Sequence, residues 1–92
     1  MNIERARQIT LKELKNSGYP FEERLSKSTG SVYYKIFSSK ESLLFRISDH
    51  QTNKNVITFR VDHRMDEKNL LKFVRNRVKD LSCRTTKSLL GI

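Results

Sequence analysis

Both histidines of the chain close an Asp-His pair at the end of an alternating apolar run. Phe45-Arg46-Ile47-Ser48-Asp49-His50 ends one run and Phe59-Arg60-Val61-Asp62-His63 ends the next. Two imidazoles and two carboxylates could ligate a metal, or act as acid and base on a phosphodiester. A plainer reading competes: an Asp at a strand end accepts N–H groups of the following turn, and the His beside it is solvated. No second acidic cluster, Cys-x-x-Cys or His-Glu-x-x-His pattern accompanies the pairs, and Cys83 has no candidate base next to it in sequence. The sequence therefore points to a protein that is not an enzyme and holds no metal or cofactor. A small nuclease using His50 and His63 stands as a minor alternative.

The cationic residues carry a stronger pattern. Lys68, Lys72, Arg75 and Lys79 recur at helical spacing, which makes a basic line roughly 16 Å long at about 1.5 Å per residue. Such a line can track a phosphate backbone, and binding would then weaken steeply with salt. It can equally be a solvated helix face. Strand alternation gathers a second set, Tyr33, Lys35, Phe37, Arg46 and Arg60, on one side of a sheet, where the aromatics could stack on bases or pack on a partner. Leu44 and Val56 share that side. A third layer built from Phe21, Leu25 or Leu89-Leu90 would shelter them, and so would a homodimer through the same face.

These residues need elements to hold them. Asn2 to Ser17 reads as a helix capped by Asn2 and stopped by Gly18, with Ile3, Ala6, Thr10 and Leu14 on one stripe and Ile9 off it. Residues 18–30 read as a flexible connector anchored by Tyr19, Phe21 and Leu25, ending in the aperiodic Ser26-Lys27-Ser28-Thr29-Gly30. Ser31–Phe37, Ser42–Ser48 and Asn55–Val61 alternate as strands, and their short links favour antiparallel neighbours. Val32, Tyr34, Ile36, Leu43, Phe45, Ile47, Ile57, Phe59 and Val61 fall on the core side. Asp66–Ser82 reads as a second helix with Leu70, Val74, Val78 and Leu81 inward, and 83–92 as a short, frayed tail. The expectation is an α+β fold in α-β-β-β-α order: a two-layer sandwich of a three-stranded antiparallel sheet with two helices on one face.

At 92 residues the chain makes a single domain, 1–92, with a thin core. Nineteen Lys and Arg against ten Asp and Glu leave a formal net charge of +9. That excess favours nucleic acid, a ribonucleoprotein or another acidic partner. One cysteine allows no internal disulfide, which fits a reducing compartment. No run approaches the roughly 20 apolar residues of a membrane span. The polar start Met1-Asn2-Ile3-Glu4-Arg5 lacks a signal-peptide core. These traits point to a soluble, cytoplasmic protein with no membrane partner.

One resemblance adds to this. Phe21-Glu22-Glu23-Arg24-x-Ser26-x-Ser28-x-Gly30-Ser31-x-Tyr33-Tyr34, followed by Arg46-Ile47-Ser48-Asp49-His50, resembles small proteins of bacterial phages and other mobile elements that carry an Arg-[Ile/Val]-Ser-Asp-His strand end. Some inhibitors of type II CRISPR nucleases are among them. The shared motif falls on Arg24, Ser26, Ser31, Tyr33, Tyr34, Arg46, Ser48, Asp49 and His50. The resemblance implies an anti-CRISPR-like inhibitor in the cytoplasm of a bacterial host. Such a protein binds a CRISPR effector nuclease or its guide-RNA complex and blocks DNA binding or cleavage without chemistry of its own. It departs from the acidic DNA mimics in charge, so guide RNA or an acidic protein patch is the implied contact. The α-β-β-β-α order also matches the double-stranded RNA-binding domain, which reads A-form backbone through basic residues at the start of its last helix. Here that start is Met65-Asp66-Glu67-Lys68-Asn69, with Lys68 as the basic residue nearest the helix start. A small basic nucleic-acid-binding module is therefore the alternative to the inhibitor.

Overall fold

A computed structural model of the chain describes residues 1–49, 55–62 and 66–89. Helix α1 spans Ile3–Ser17, strand β1 Phe21–Leu25, β2 Val32–Phe37, β3 Ser42–Ser48, β4 Ile57–Arg60, and helix α2 Glu67–Leu89. The α+β class holds, with corrections to its details. The sheet has four strands in the order β1-β2-β3-β4. Neighbours β1, β2 and β3 are antiparallel, whereas β4 runs parallel to β3. The expected three-stranded antiparallel sheet and α-β-β-β-α order give way to a mixed sheet and α-β-β-β-β-α, and the analogy to the double-stranded RNA-binding domain lapses with them.

Both differences have physical reasons. β1 lies within the stretch expected to be a flexible connector. Its Phe-Glu-Glu-Arg-Leu composition is that of an edge strand, where charge discourages pairing with other chains. Register pairs Phe21 with Ile36, Glu23 with Tyr34 and Leu25 with Val32, so these three share the inner face of the sheet. The parallel pairing of β4 sets Ile57 beside Phe45 and Arg60 beside Ser48. The chain therefore retreats only three positions along β3, about 10 Å, a span the link 49–56 covers easily. A full-length crossover is not required, so the short link did not enforce an antiparallel neighbour.

Asn2 caps α1, its side chain accepting from the Arg5 N–H at 2.8 Å, and Gly18 closes the helix in the left-handed region at φ 81°. Ala6, Ile9, Thr10 and Leu14 face inward, so Ile9 belongs to the buried stripe. Asp66 receives the Asn69 N–H at the start of α2, and the helix continues past Ser82 to Leu89 through the stretch expected to fray. Leu70, Val74 and Leu81 are fully buried. Aromatic rings join helix to sheet: Phe73 lies 5.8 Å from Phe45 and 5.2 Å from Phe59, and Tyr34 stacks on Phe45 at 5.3 Å. The expected core face is buried as a set except for Ile57 on edge strand β4, which is 40% exposed. Two helices thus cover one face of the sheet.

Candidate nucleic-acid interface

The opposite face of the sheet is organised by register. Arg24, Tyr33, Arg46 and Thr58 stand in one row across β1 to β4, and Glu22, Lys35 and Leu44 in the next. Arg46 and Arg60 share this face, being in register with Thr58 and Ser48, but their environments differ. Arg60 is exposed. Arg46 was expected to be an outward cation and is instead only 6% exposed. Its Nη2 donates to the Ser31 hydroxyl at 2.9 Å and to the Ser48 hydroxyl at 3.2 Å, and its guanidinium lies 5.9 Å from the Tyr33 ring centre. Ser31 in turn donates to Ser48 at 2.9 Å, both hydroxyls being fully buried. Hydrogen bonding of a charged donor to two hydroxyls offsets part of the desolvation that burial imposes. Arg46 is therefore a brace that fixes Tyr33 rather than a free contact.

The hydroxyl network continues into the β1–β2 turn. Thr29 donates to Ser26 at 3.0 Å and to Ser31 at 3.1 Å, and Ser26 and Ser28 hydroxyls lie 3.3 Å apart. Ser26 and Ser31 backbones pair at 2.8 Å, and the Gly30 N–H closes the turn on the Ser26 carbonyl at 2.9 Å. Gly30 sits at φ 73°, a region that L side chains enter only with strain. The Ser-Lys-Ser-Thr-Gly-Ser run, read in the sequence as an aperiodic loop, is a hydroxyl-bonded turn tied to the sheet through Arg46. Composition alone could not separate the two, because the same small polar residues build both; Gly30 was the local signal of a fixed turn.

Beside this turn a groove of about 980 Å³ opens over β1, β2 and β3. Its floor carries Tyr33 and Leu44, and its rim carries Arg24, Lys27 and Lys35 with Glu22. Arg24, Lys27, Lys35 and Leu44 are exposed, and Tyr33 is half-buried. Lys27 and Leu44 escaped the sequence reading as site residues, one placed in a loop and the other counted as apolar surface in need of cover. Neither Phe21 nor Leu25 forms a third layer here: Phe21 packs against the core on the helix side, and Leu25 is 53% exposed.

A second ion network positions β1. Arg7 of α1 grips Glu23 with two hydrogen bonds, 3.0 and 2.8 Å, and the Tyr34 hydroxyl donates to the same carboxylate at 2.8 Å. The Arg7 guanidinium, assisted by Tyr34, holds the Glu23 carboxyl below its ordinary range against the opposing effect of burial. Burial first, and the bond to Glu23 second, push the Tyr34 phenol well above its ordinary value. Tyr34, part of the sequence motif, thus serves the inner face and not the groove.

The basic line of α2 belongs to the other layer. Lys68, Lys72, Arg75 and Lys79 are exposed on the helix surface turned away from the sheet. Arg75 pairs with Glu13 of α1 at 2.8 Å, and Glu67 pairs with Arg5 at 2.7 Å. Acidic neighbours therefore dilute this surface, and the helix line and the sheet-face set, read as two sets in the sequence, lie on separate layers. Asp49 lies exposed at the end of β3. His50 and His63 lie outside the described residues. Among the described residues no group of three His, Cys, Asp or Glu side chains could hold a metal ion, and no helix is long and apolar enough to cross a membrane.

Comparison of the chain with protein-family models, curated proteins and solved structures gives no match. The functional reading accordingly stands on the site itself and on the sequence motif.

Proposed function

We propose that the protein is a non-catalytic binding module that takes the phosphate backbone of a nucleic acid on the open face of its sheet. The resemblance to type II anti-CRISPR inhibitors makes that nucleic acid part of a guide-RNA-loaded CRISPR nuclease, whose DNA binding or cleavage the bound protein obstructs. The observation that carries the reading is a sheet face that no described residue covers with a third layer, where Arg24, Lys27 and Lys35 line a groove with a half-buried tyrosine and Arg60 is exposed on the far edge strand. Cations next to an aromatic floor are what a backbone with accessible bases requires. Motif residues Arg24, Ser26, Ser31, Tyr33, Arg46 and Ser48 lie on this face or in the turn beside it, which supports a shared docking role. A rigid hydroxyl-braced face suits an inhibitor that must present one fixed surface.

The test has two arms. Binding of labelled RNA, followed by fluorescence anisotropy across a salt series, should weaken linearly on a log–log scale. Lys35→Glu with Arg60→Glu should weaken it uniformly across sequences and flatten the slope. Pull-down of a type II nuclease with and without guide should recover the protein only with guide. Association that ignores salt and both substitutions removes the open face as the site, and failure to associate with, or inhibit, the loaded nuclease removes the inhibitor reading. A free-standing nucleic-acid module is the second reading, favoured by the cationic line on the far side of α2, which an inhibitor docked through its sheet does not use.

A further inference from the structure

We propose that the groove at the β1–β2 turn is a subsite for one nucleotide of a single strand: its base stacks on Tyr33 against Leu44, and its phosphate lies at Arg24 and Lys27 beside the turn hydroxyls. The inference rests on the open-face reading and narrows it to single-stranded ligands. Three features of the groove carry it.

The first is the groove itself: about 980 Å³, within the range typical of ligand pockets, is room enough for a nucleotide. The second is the state of Tyr33. Its ring is half-buried and held by Arg46, which Ser31 and Ser48 fix in turn. An aromatic platform immobilised before binding loses little entropy when a base stacks on it. A base paired inside a duplex has both faces occupied by its neighbours and cannot use that platform. The third is the division of charge. Arg46 is buried and engaged with hydroxyls, so phosphate contact falls to the exposed Arg24 and Lys27 at the turn end of the groove. Glu22 lines the groove two positions before Arg24 on the same strand face, and its carboxylate repels a second phosphate there, which fixes which end of the groove takes the backbone.

The test uses the full chain, a labelled oligouridine of about twelve nucleotides and a duplex of matching length. The single strand should bind about tenfold or more tightly than the duplex. Tyr33→Leu should lower single-strand affinity about 5- to 150-fold, the span that stacking of about 1–3 kcal/mol per base gives, while leaving the salt slope unchanged. Arg24→Ala with Lys27→Ala should flatten the slope by about one to two units. Tyrosine emission supplies a readout that a merely structural role would not move: oligouridine should quench it in the wild type, and Tyr33→Phe, which keeps the stacking surface, should bind normally while losing most of the quenching. Equal affinity for the two nucleic acids, or Tyr33→Leu binding as the wild type does, overturns the subsite. In either case the open-face reading survives if Lys35→Glu with Arg60→Glu still weakens binding and flattens the salt slope. Absence of binding to any nucleic acid at low salt, with tight binding to polyglutamate instead, overturns both.

Discussion

Glu23 is the residue on which the geometry of the site turns. It joins α1 to the edge strand through Arg7, and joins both to the core through Tyr34. Because its folded pKa lies below the ordinary carboxylate value of 4.5, the stability it contributes is complete above about pH 4.5 and is lost as pH falls through the folded value. Thermal melts from pH 6 to pH 2.5 should show a steep acid limb that flattens in Glu23→Gln. The opposite sign applies to Tyr34: its raised pKa makes its contribution complete below about pH 10 and lost as pH climbs further. Tyr34→Phe should destabilise the protein by about 1 kcal/mol at neutral pH and should flatten the alkaline limb. A Tyr34→Phe protein with unchanged melting at both pH extremes would show that the bond to Glu23 is not formed in solution. At Gly30, with φ 73° and open space around it, Gly30→Ala should cost about 1–2 kcal/mol through backbone strain alone. Because the turn carries Lys27, the same substitution should weaken nucleic-acid binding beyond what the lost stability explains. Equal binding per folded molecule would separate the turn from the site.

At the scale of elements, strands β2 and β3 were readable because every second residue from Val32 to Ile36 and from Leu43 to Ile47 is apolar, and that alternation fixes which side chains are buried. It does not fix strand direction. Phe59 and Val61 point inward whether β4 runs parallel or antiparallel, so the parallel pairing was beyond the reach of the pattern. Strand β1 was hidden for a different reason: Glu22, Glu23 and Arg24 read as solvent-loving, yet Glu23 faces the helix layer because Arg7 waits there, sixteen residues earlier. Arg46 was misread in the same manner. Alternation puts it correctly on the outer face, but its burial depends on the hydroxyls of Ser48, on its own strand, and of Ser31, fifteen residues earlier, a contact that no local window contains. The motif residues Ser26, Ser31, Arg46 and Ser48 are thus legible as a set of letters, while the hydrogen bonds that link them, through Thr29, appear only with the strands paired. If those bonds fix the groove, Ser31→Ala with Ser48→Ala should leave Arg46 buried without its hydroxyl acceptors and lower stability by about 2–4 kcal/mol. A loss below about 0.5 kcal/mol in denaturant titrations would contradict the brace.

Seen whole, the molecule is thin and long, with extents of 42, 25 and 19 Å. The long axis follows from α2, whose 23 residues span about 35 Å. Among the described residues two layers leave two solvent faces, and a net charge of +9 is shared over the chain. On the helix side Glu13, Glu67 and Asp80 sit among the cations and form ion pairs with Arg75, Arg5 and Arg77. On the sheet side Arg24, Lys27 and Lys35 line the groove with Glu22 beside them, and Arg60 is exposed on β4. The helices carry the larger share of the Lys and Arg, so it is the shape of the sheet face, concave next to an aromatic floor, that singles it out for a polyanion. The most direct measurement of this account is amide chemical-shift mapping of the full chain during titration with short RNA. The account predicts shifts concentrated at Arg24, Lys27, Tyr33, Lys35, Leu44 and Arg60, with Lys68, Lys72 and Lys79 unmoved. Shifts confined to the outward surface of α2, with the sheet face silent, would contradict it.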